Sequence, residues 1–136
     1  MSEPNNMSIV FDTEPLLVFY KGEVGQTTVR DLLTEVNEGS LKAYINIVNL
    51  TEFYYILHRY SPEIADEKTR NLRAFGVEVV PLLDDSIWRM AAETKSRMPM
   101  SLADSFAVAT ATAFGSRLVV GRDPEFDEVD VETIRI

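Results

Sequence analysis

The chain contains no cysteine. Thiol nucleophiles, thiolate metal sites and any disulfide framework are therefore excluded. His58 is the only histidine, and no organised serine partner stands near it in sequence, so a hydrolytic triad has nothing to be built from. The chain also lacks a glycine-rich phosphate loop of either common type, which leaves a nucleotide-binding reading without support. No apolar run approaches the roughly 20 residues a membrane span requires. The opening Met1-Ser-Glu-Pro-Asn-Asn-Met7 is polar, with no basic n-region, and does not read as a signal peptide. Residues 1–7 are expected to be a loose leader, with Met7 available as an alternative start, and the protein is expected in the cytoplasm. Lysine is scarce: four of the 13 bases are Lys, a balance that, with 22 acids, hints at a salt-loving source.

What remains is enough for one real core. The 136 residues are 46% apolar, and residues 8–136 read as a single domain. A net charge of −9 argues against broad, charge-driven binding of nucleic acid. It argues less against a nuclease, because a cluster of metal-holding acids adds negative charge that bound divalent cations offset.

Read in order, short apolar runs alternate with helical patterns. Ser8–Phe11 is a strand that feeds a helix, with Asp12 as N-cap, Pro15 in the first turn and Gly22 as the stop. A second helix spans 26–39, with Val29, Leu32, Leu33 and Val36 on one side. Ala43–Ile47 is the second strand. It runs into 48–60, a helix apolar around most of its circumference and therefore expected to be buried, which makes Glu52 inside it costly unless paired, protonated or bound to a cation. Ser61-Pro62 opens a charged helix that Gly76 ends. Val77–Val80 is the third strand, followed by a helix capped at Asp84 or Asp85 and ending near Pro99. Arg117–Val120 is the fourth strand, and Thr133–Ile136 a last edge strand.

The stretch Ser101-Leu-Ala-Asp-Ser-Phe-Ala-Val-Ala-Thr-Ala111 carries its own start signal, Ser101 with an acid three residues on. Ala103, Ala107, Val108 and Ala111 give it a smooth face for close packing on a sheet. On its own, Asp104 reads as a capping acid that favours the helix dipole. Asp12 reads equally as an N-cap, Glu52 as an acid paired with an arginine, and Asp123 as a turn former before Pro124. The alternation of strands and helices, however, implies a mostly parallel sheet with helices on both faces. Ligands bind beyond the carboxyl ends of such strands, where strand order reverses. Asp12 and Asp123 follow the first and fourth strands, and Glu52 and Asp104 lie in early turns of helices next to strands, so all four acids can face one sheet edge. Four carboxylates there repel one another unless protonated or bridged by cations. An all-oxygen ligand set suits Mg²⁺ or Mn²⁺, which can activate water against a phosphodiester. Glu14, beside Asp12, reads first as a dipole partner and second as a supporting acid. Lys95, Arg97 and Arg122 are candidates for phosphate contact, with solvated surface charge as the ordinary reading. Phe53, Tyr54, Tyr55 and Trp88 read as core or dimer surface.

Ile9-Val-Phe-Asp-Thr-Glu-Pro-Leu-Leu17, Val48-Asn-Leu-Thr-Glu52, the 101–111 stretch and Leu118-Val-Val-Gly-Arg-Asp-Pro-Glu-Phe126 resemble the four motifs of PIN-domain nucleases, above all the small VapC-like toxins of prokaryotic type II toxin–antitoxin pairs. The resemblance covers nearly the whole chain, in the right order and spacing. It implies a three-layer α/β/α fold with a mostly parallel, about five-stranded sheet, and a Mg²⁺- or Mn²⁺-dependent endoribonuclease. Carried over to this chain, it implies Asp12, Glu52, Asp104 and Asp123 as catalytic and metal-holding residues, with Asp123 the more peripheral. It further implies an RNA substrate, a homodimer and an antitoxin partner. Many relatives carry Thr or Ser two residues before the last acid, whereas this chain has Gly121. Two other readings belong beside it: a housekeeping PIN nuclease in RNA maturation, and a PIN-fold module that binds RNA or protein without cutting.

Overall fold

The computed structural model describes residues 5–136, with side chains from Met7 onward. Of the expected leader, residues 1–4 lie outside the described residues, and the first strand, β1, is Asn5–Phe11, so it opens three residues before Ser8. The elements then run α1 (Thr13–Lys21), α2 (Gln26–Asn37), β2 (Lys42–Asn46), α3 (Ile47–His58), α4 (Pro62–Phe75), β3 (Val77–Val80), α5 (Asp85–Arg97), α6 (Leu102–Phe114), β4 (Ser116–Val120), a short 3-10 turn (Pro124–Glu128) and β5 (Thr133–Arg135). The strands form one sheet in the order β3-β2-β1-β4-β5, every neighbouring pair parallel. Strand order therefore reverses beside β1, where the chain steps outward to β2 and β3 and returns to add β4 and β5.

The period-2 alternation of the strands divides the core into two layers. Ile9 and Phe11 of β1, Ala43 and Ile45 of β2 and Val119 of β4 face a cluster completed by Leu16, Val29, Leu33, Phe53, Leu57 and Leu72 from α1 to α4. Val10, Leu118 and Val120 face the other way, onto Ala107, Val108 and Ala111 of α6. Alanines on that face let α6 lie close to the sheet, and Phe106 and Ala109 continue the packing to Ile87 and Ala91 of α5. The expected three-layer α/β/α architecture is what forms.

One local expectation is corrected. α3 is not wrapped on all sides: Thr51, Tyr55 and His58 are exposed, and Glu52 is half-buried rather than enclosed. The helix is apolar in composition, but its neighbours α1, α4, α6 and the sheet cover only the side bearing Asn49, Leu50, Phe53 and Leu57. Trp88 is 41% exposed at the start of α5, where its indole N–H donates to Asp85. Among the described residues no helix is long and apolar enough to cross a membrane.

Candidate functional site

Beyond the carboxyl ends of β1 and β4 lies a cleft of about 260 Å³, lined by Asp12, Thr13, Glu14, Leu17, Glu52, Ile56, Ser101, Asp104, Asp123 and Phe126. All four acids singled out from the sequence line it, and no Lys, Arg or His does.

Asp12 is the fixed point. Its backbone N–H donates to the Val119 carbonyl at 3.0 Å, extending the β1–β4 ladder one residue past the strand. It occupies the N-cap position of α1 with extended backbone, yet its side chain makes no capping hydrogen bond. The carboxylate is thus buried (2% exposed) without the helix-start role that would explain it. Burial, then the proximity of Asp104 and Glu52, hold its pKa well above the ordinary carboxylate range, partly offset by the Thr13 backbone N–H.

Asp104 reaches the same place from the N-terminus of α6. Ser101 caps that helix by accepting the Asp104 N–H at 3.1 Å, so the acid's backbone, not its carboxylate, satisfies the cap. The Asp104 carboxyl lies beside those of Asp12 and Glu125. Burial and the Glu125 contact push its pKa up to about 6, with Glu52 adding to the repulsion. Glu52, in the second turn of α3, completes this group from the other helical layer.

Asp123 stands apart. Its Oδ1 accepts the Glu125 N–H at 2.9 Å, capping the Pro124–Glu128 turn, so the turn-former reading describes half of its role. The loop is tied down by Arg135 of β5, whose guanidinium donates to the carbonyls of Gly121 at 3.0 Å and Asp123 at 2.7 Å and pairs with Asp127. Among the described residues no three acids or histidines stand as a ready ligand group for one ion.

Several contributors escaped the sequence reading. Asn49 is fully buried, and its amide donates to Ala103 O at 2.9 Å and, at 3.4 Å, to Asp12 Oδ1 and Thr13 Oγ1. It ties the starts of α1 and α6 to α3 at the foot of the cleft, while its own Oδ1 is buried with no hydrogen-bond partner among the described residues. A buried polar residue three positions before Glu52 was the available signal. Glu125 was quoted in the last motif and given no role. Of the basic candidates, Arg97 lines a larger cleft of about 560 Å³ on the Glu125 side, and Arg122 lines one of about 330 Å³ on the Glu14 side.

A PIN domain profile matches residues 9–132. The chain belongs to the PIN domain family. No curated protein matches it significantly by sequence. Solved structures with the same fold include VapBC2 from Rickettsia felis bound to a promoter DNA fragment, at 14% identity and TM-score 0.74 over 96% of this chain and 99% of that one. DNA-bound VapBC from Salmonella typhimurium matches at 16% identity and TM-score 0.69, covering 95% and 98%. VapC20 of Mycobacterium tuberculosis, a sarcin-ricin loop cleaving toxin, matches at 16% identity and TM-score 0.64, covering 91% and 95%. At these identities the likeness is one of fold, and within this PIN domain the chemistry has to be argued from the cleft.

Proposed function

We propose that this PIN domain is a metal-dependent endoribonuclease, the toxin of a toxin–antitoxin pair, with Asp12, Glu52, Asp104 and Asp123 as its catalytic and metal-holding acids. The observation that carries the proposal is the convergence of these four acids on one cleft free of basic side chains, with Asp12 and Asp104 forced together in its buried part. Carboxylates held at such a cost in a folded chain call for a compensating charge, and protein bases do not supply it.

The donor set fits a hard divalent ion. It is all oxygen, supplied by the carboxylates of Asp12, Glu52, Asp104 and Asp123 that line the cleft. Asp12 and Asp104 would hold Mg²⁺ or Mn²⁺, with Glu52 and Asp123 at the rim. When bound, such an ion supplies a water acidic enough to attack at neutral pH and stabilises charge on a phosphodiester oxygen. The chain's own part is positional. The β1–β4 ladder fixes Asp12, the Ser101 cap fixes Asp104, and the Asn49 amide fixes the two relative to each other. Arg97 and Arg122, in the clefts on either side, suit the phosphates of a strand laid across the site. Similarity in fold to toxins solved with their antitoxins supports an antitoxin partner, and a cytoplasmic homodimer belongs to the same reading.

Calorimetric titration of Mn²⁺ into wild type and Asp104→Asn tests the site without knowledge of the RNA target. Saturable binding lost in the variant, together with Mn²⁺-dependent cleavage of RNA by wild type, supports the reading. Cleavage that persists in Asp104→Asn at the wild-type rate overturns it.

A further inference from the structure

The Glu14 side chain is folded across the bare Cα of Gly121. A Cβ built at position 121 would fall inside the Glu14 carboxylate, whose three terminal atoms are the nearest to that point, Oε1 the farthest at 3.0 Å. The two residues lie 107 positions apart, one in the first turn of α1 and the other just past β4, on neighbouring strands' exits. Gly121 does not have a positive φ, so backbone freedom does not explain the glycine there. Its carbonyl accepts a hydrogen bond from Arg135 at 3.0 Å, which ties the loop in place.

We propose that Glu14 is a fifth carboxylate of the cation site and that Gly121 is the gap that admits it, an inference that rests on the metal-dependent reading above. Glu14 lines the same cleft as Asp12, Glu52, Asp104 and Asp123, and also the adjoining cleft with Gly121 and Arg122, so it stands on the ridge between them. No hydrogen bond or ion pair holds it among the described residues. The α1 dipole favours an acid in the first turn, but it acts on a carboxylate anywhere around that turn. It does not require the acid to lie over the one residue of the β4 exit that lacks a side chain, facing four like charges. A cation shared with those charges does.

The arrangement supplies its own test. Gly121→Ala adds only a methyl group, and what that group meets is the end of a flexible side chain, so the variant folds and turns Glu14 out of the cleft without altering any acid. Mn²⁺ is titrated calorimetrically into wild type, Glu14→Gln, Gly121→Ala and the double variant, with thermal melting in chelator as a check on folding. Each single variant is expected to weaken Mn²⁺ binding about five- to tenfold, and the double variant no more than either alone, because both remove one contact. Unchanged Mn²⁺ affinity in Glu14→Gln, with or without a lower melting temperature, overturns the proposal and returns Glu14 to the helix dipole. Effects of the two substitutions that multiply in the double variant overturn the link to Gly121. Failure of wild type to bind Mn²⁺ overturns this proposal and the metal-dependent reading together, whereas binding lost in Asp104→Asn but intact in Glu14→Gln overturns this one alone.

Discussion

Asp12 and Asp123 leave adjacent parallel strands in the same direction, yet the chain holds them by opposite means. Asp12 is anchored through its backbone to Val119 and is buried, and its carboxylate does nothing for the start of α1. Asp123 is half-buried, its Oδ1 engaged by the Glu125 N–H and its carbonyl by Arg135. The first acid sits where charge is expensive, met only by the Thr13 backbone N–H and a long contact of 3.4 Å from the Asn49 amide. The second acid builds the loop that closes the cleft. Burial of a carboxylate against two other acids, with no basic partner in the cleft, marks a group retained for its charge, and Asp12 meets that description.

The largest effect should come from taking charge out of each half in turn. Asp12→Asn and Asp104→Asn each remove a carboxylate, the first buried and the second half-buried, from the proposed cation site, and RNA cleavage is expected to fall by more than about 100-fold, the scale of a lost electrostatic contact at a reacting centre. Asp123→Asn keeps an Oδ1 that can still cap the Pro124–Glu128 turn, so it isolates the charge alone. Its expected loss is roughly tenfold. Equal losses in single-turnover cleavage assays at saturating Mn²⁺ would erase the distinction between the halves.

The supports of the two halves differ in the same sense. Asn49→Ala strips a buried amide from Ala103 O, Asp12 and Thr13 and leaves a small void, and should destabilise the fold by about 2 kcal/mol. Arg135→Met cuts the ties to Gly121, Asp123 and Asp127, but on a partly solvated loop where such bonds contribute about 1 kcal/mol or less. Urea unfolding of both variants gives the comparison directly. A greater loss in Arg135→Met would make the β5 loop, and not the α1–α3–α6 junction, the mechanical base of the cleft.

Much of this site could be read before the fold was seen, for reasons that are local. Asp12 follows a strand and precedes a proline-marked helix start, and Asp104 follows a serine cap, so sequence neighbours alone place both acids at element ends. Parallel topology then directs those ends to one edge, which the chain does by ordering its strands β3-β2-β1-β4-β5. What could not be read depends on partners far along the chain. Asn49 meets Ala103 across 54 residues, and Glu14 meets Gly121 across the β1–β4 pairing. The Arg135 grip on the 121–127 loop needs the register of β5 on β4, in which Val120 lies opposite Arg135. The overestimate of burial around Glu52 has a different origin. The apolar composition of α3 says that the helix can be buried on any side, and only its neighbours decide which sides are.

The smallest effect concerns pH, and it reads the inner half of the cleft. The Asp104 pKa is raised from 3.8 to about 6 by burial and by Glu125, and that of Asp12 is raised in the same direction. A carboxyl that holds its proton more tightly when folded contributes stability that is fully present below its unfolded pKa. That stability is lost as pH rises through the folded value. In chelator, wild type should therefore lose stability between about pH 4 and pH 7 relative to Asp104→Asn, which carries no titrating group at that position. The Asp104 shift alone sets a ceiling near 3 kcal/mol, and partial solvent exposure reduces the expected difference to about 1 kcal/mol. Mn²⁺ should reverse the trend in wild type, because an ion bound only by the ionised, folded site stabilises it increasingly as the carboxyls lose their protons. Melting curves at pH 5 and pH 7.5, with chelator and with Mn²⁺, read out both signs. Parallel pH profiles for wild type and Asp104→Asn in chelator would mean that the inner carboxylates are solvated well enough to carry their charge without a cation, and the contrast between the two halves of the cleft would vanish.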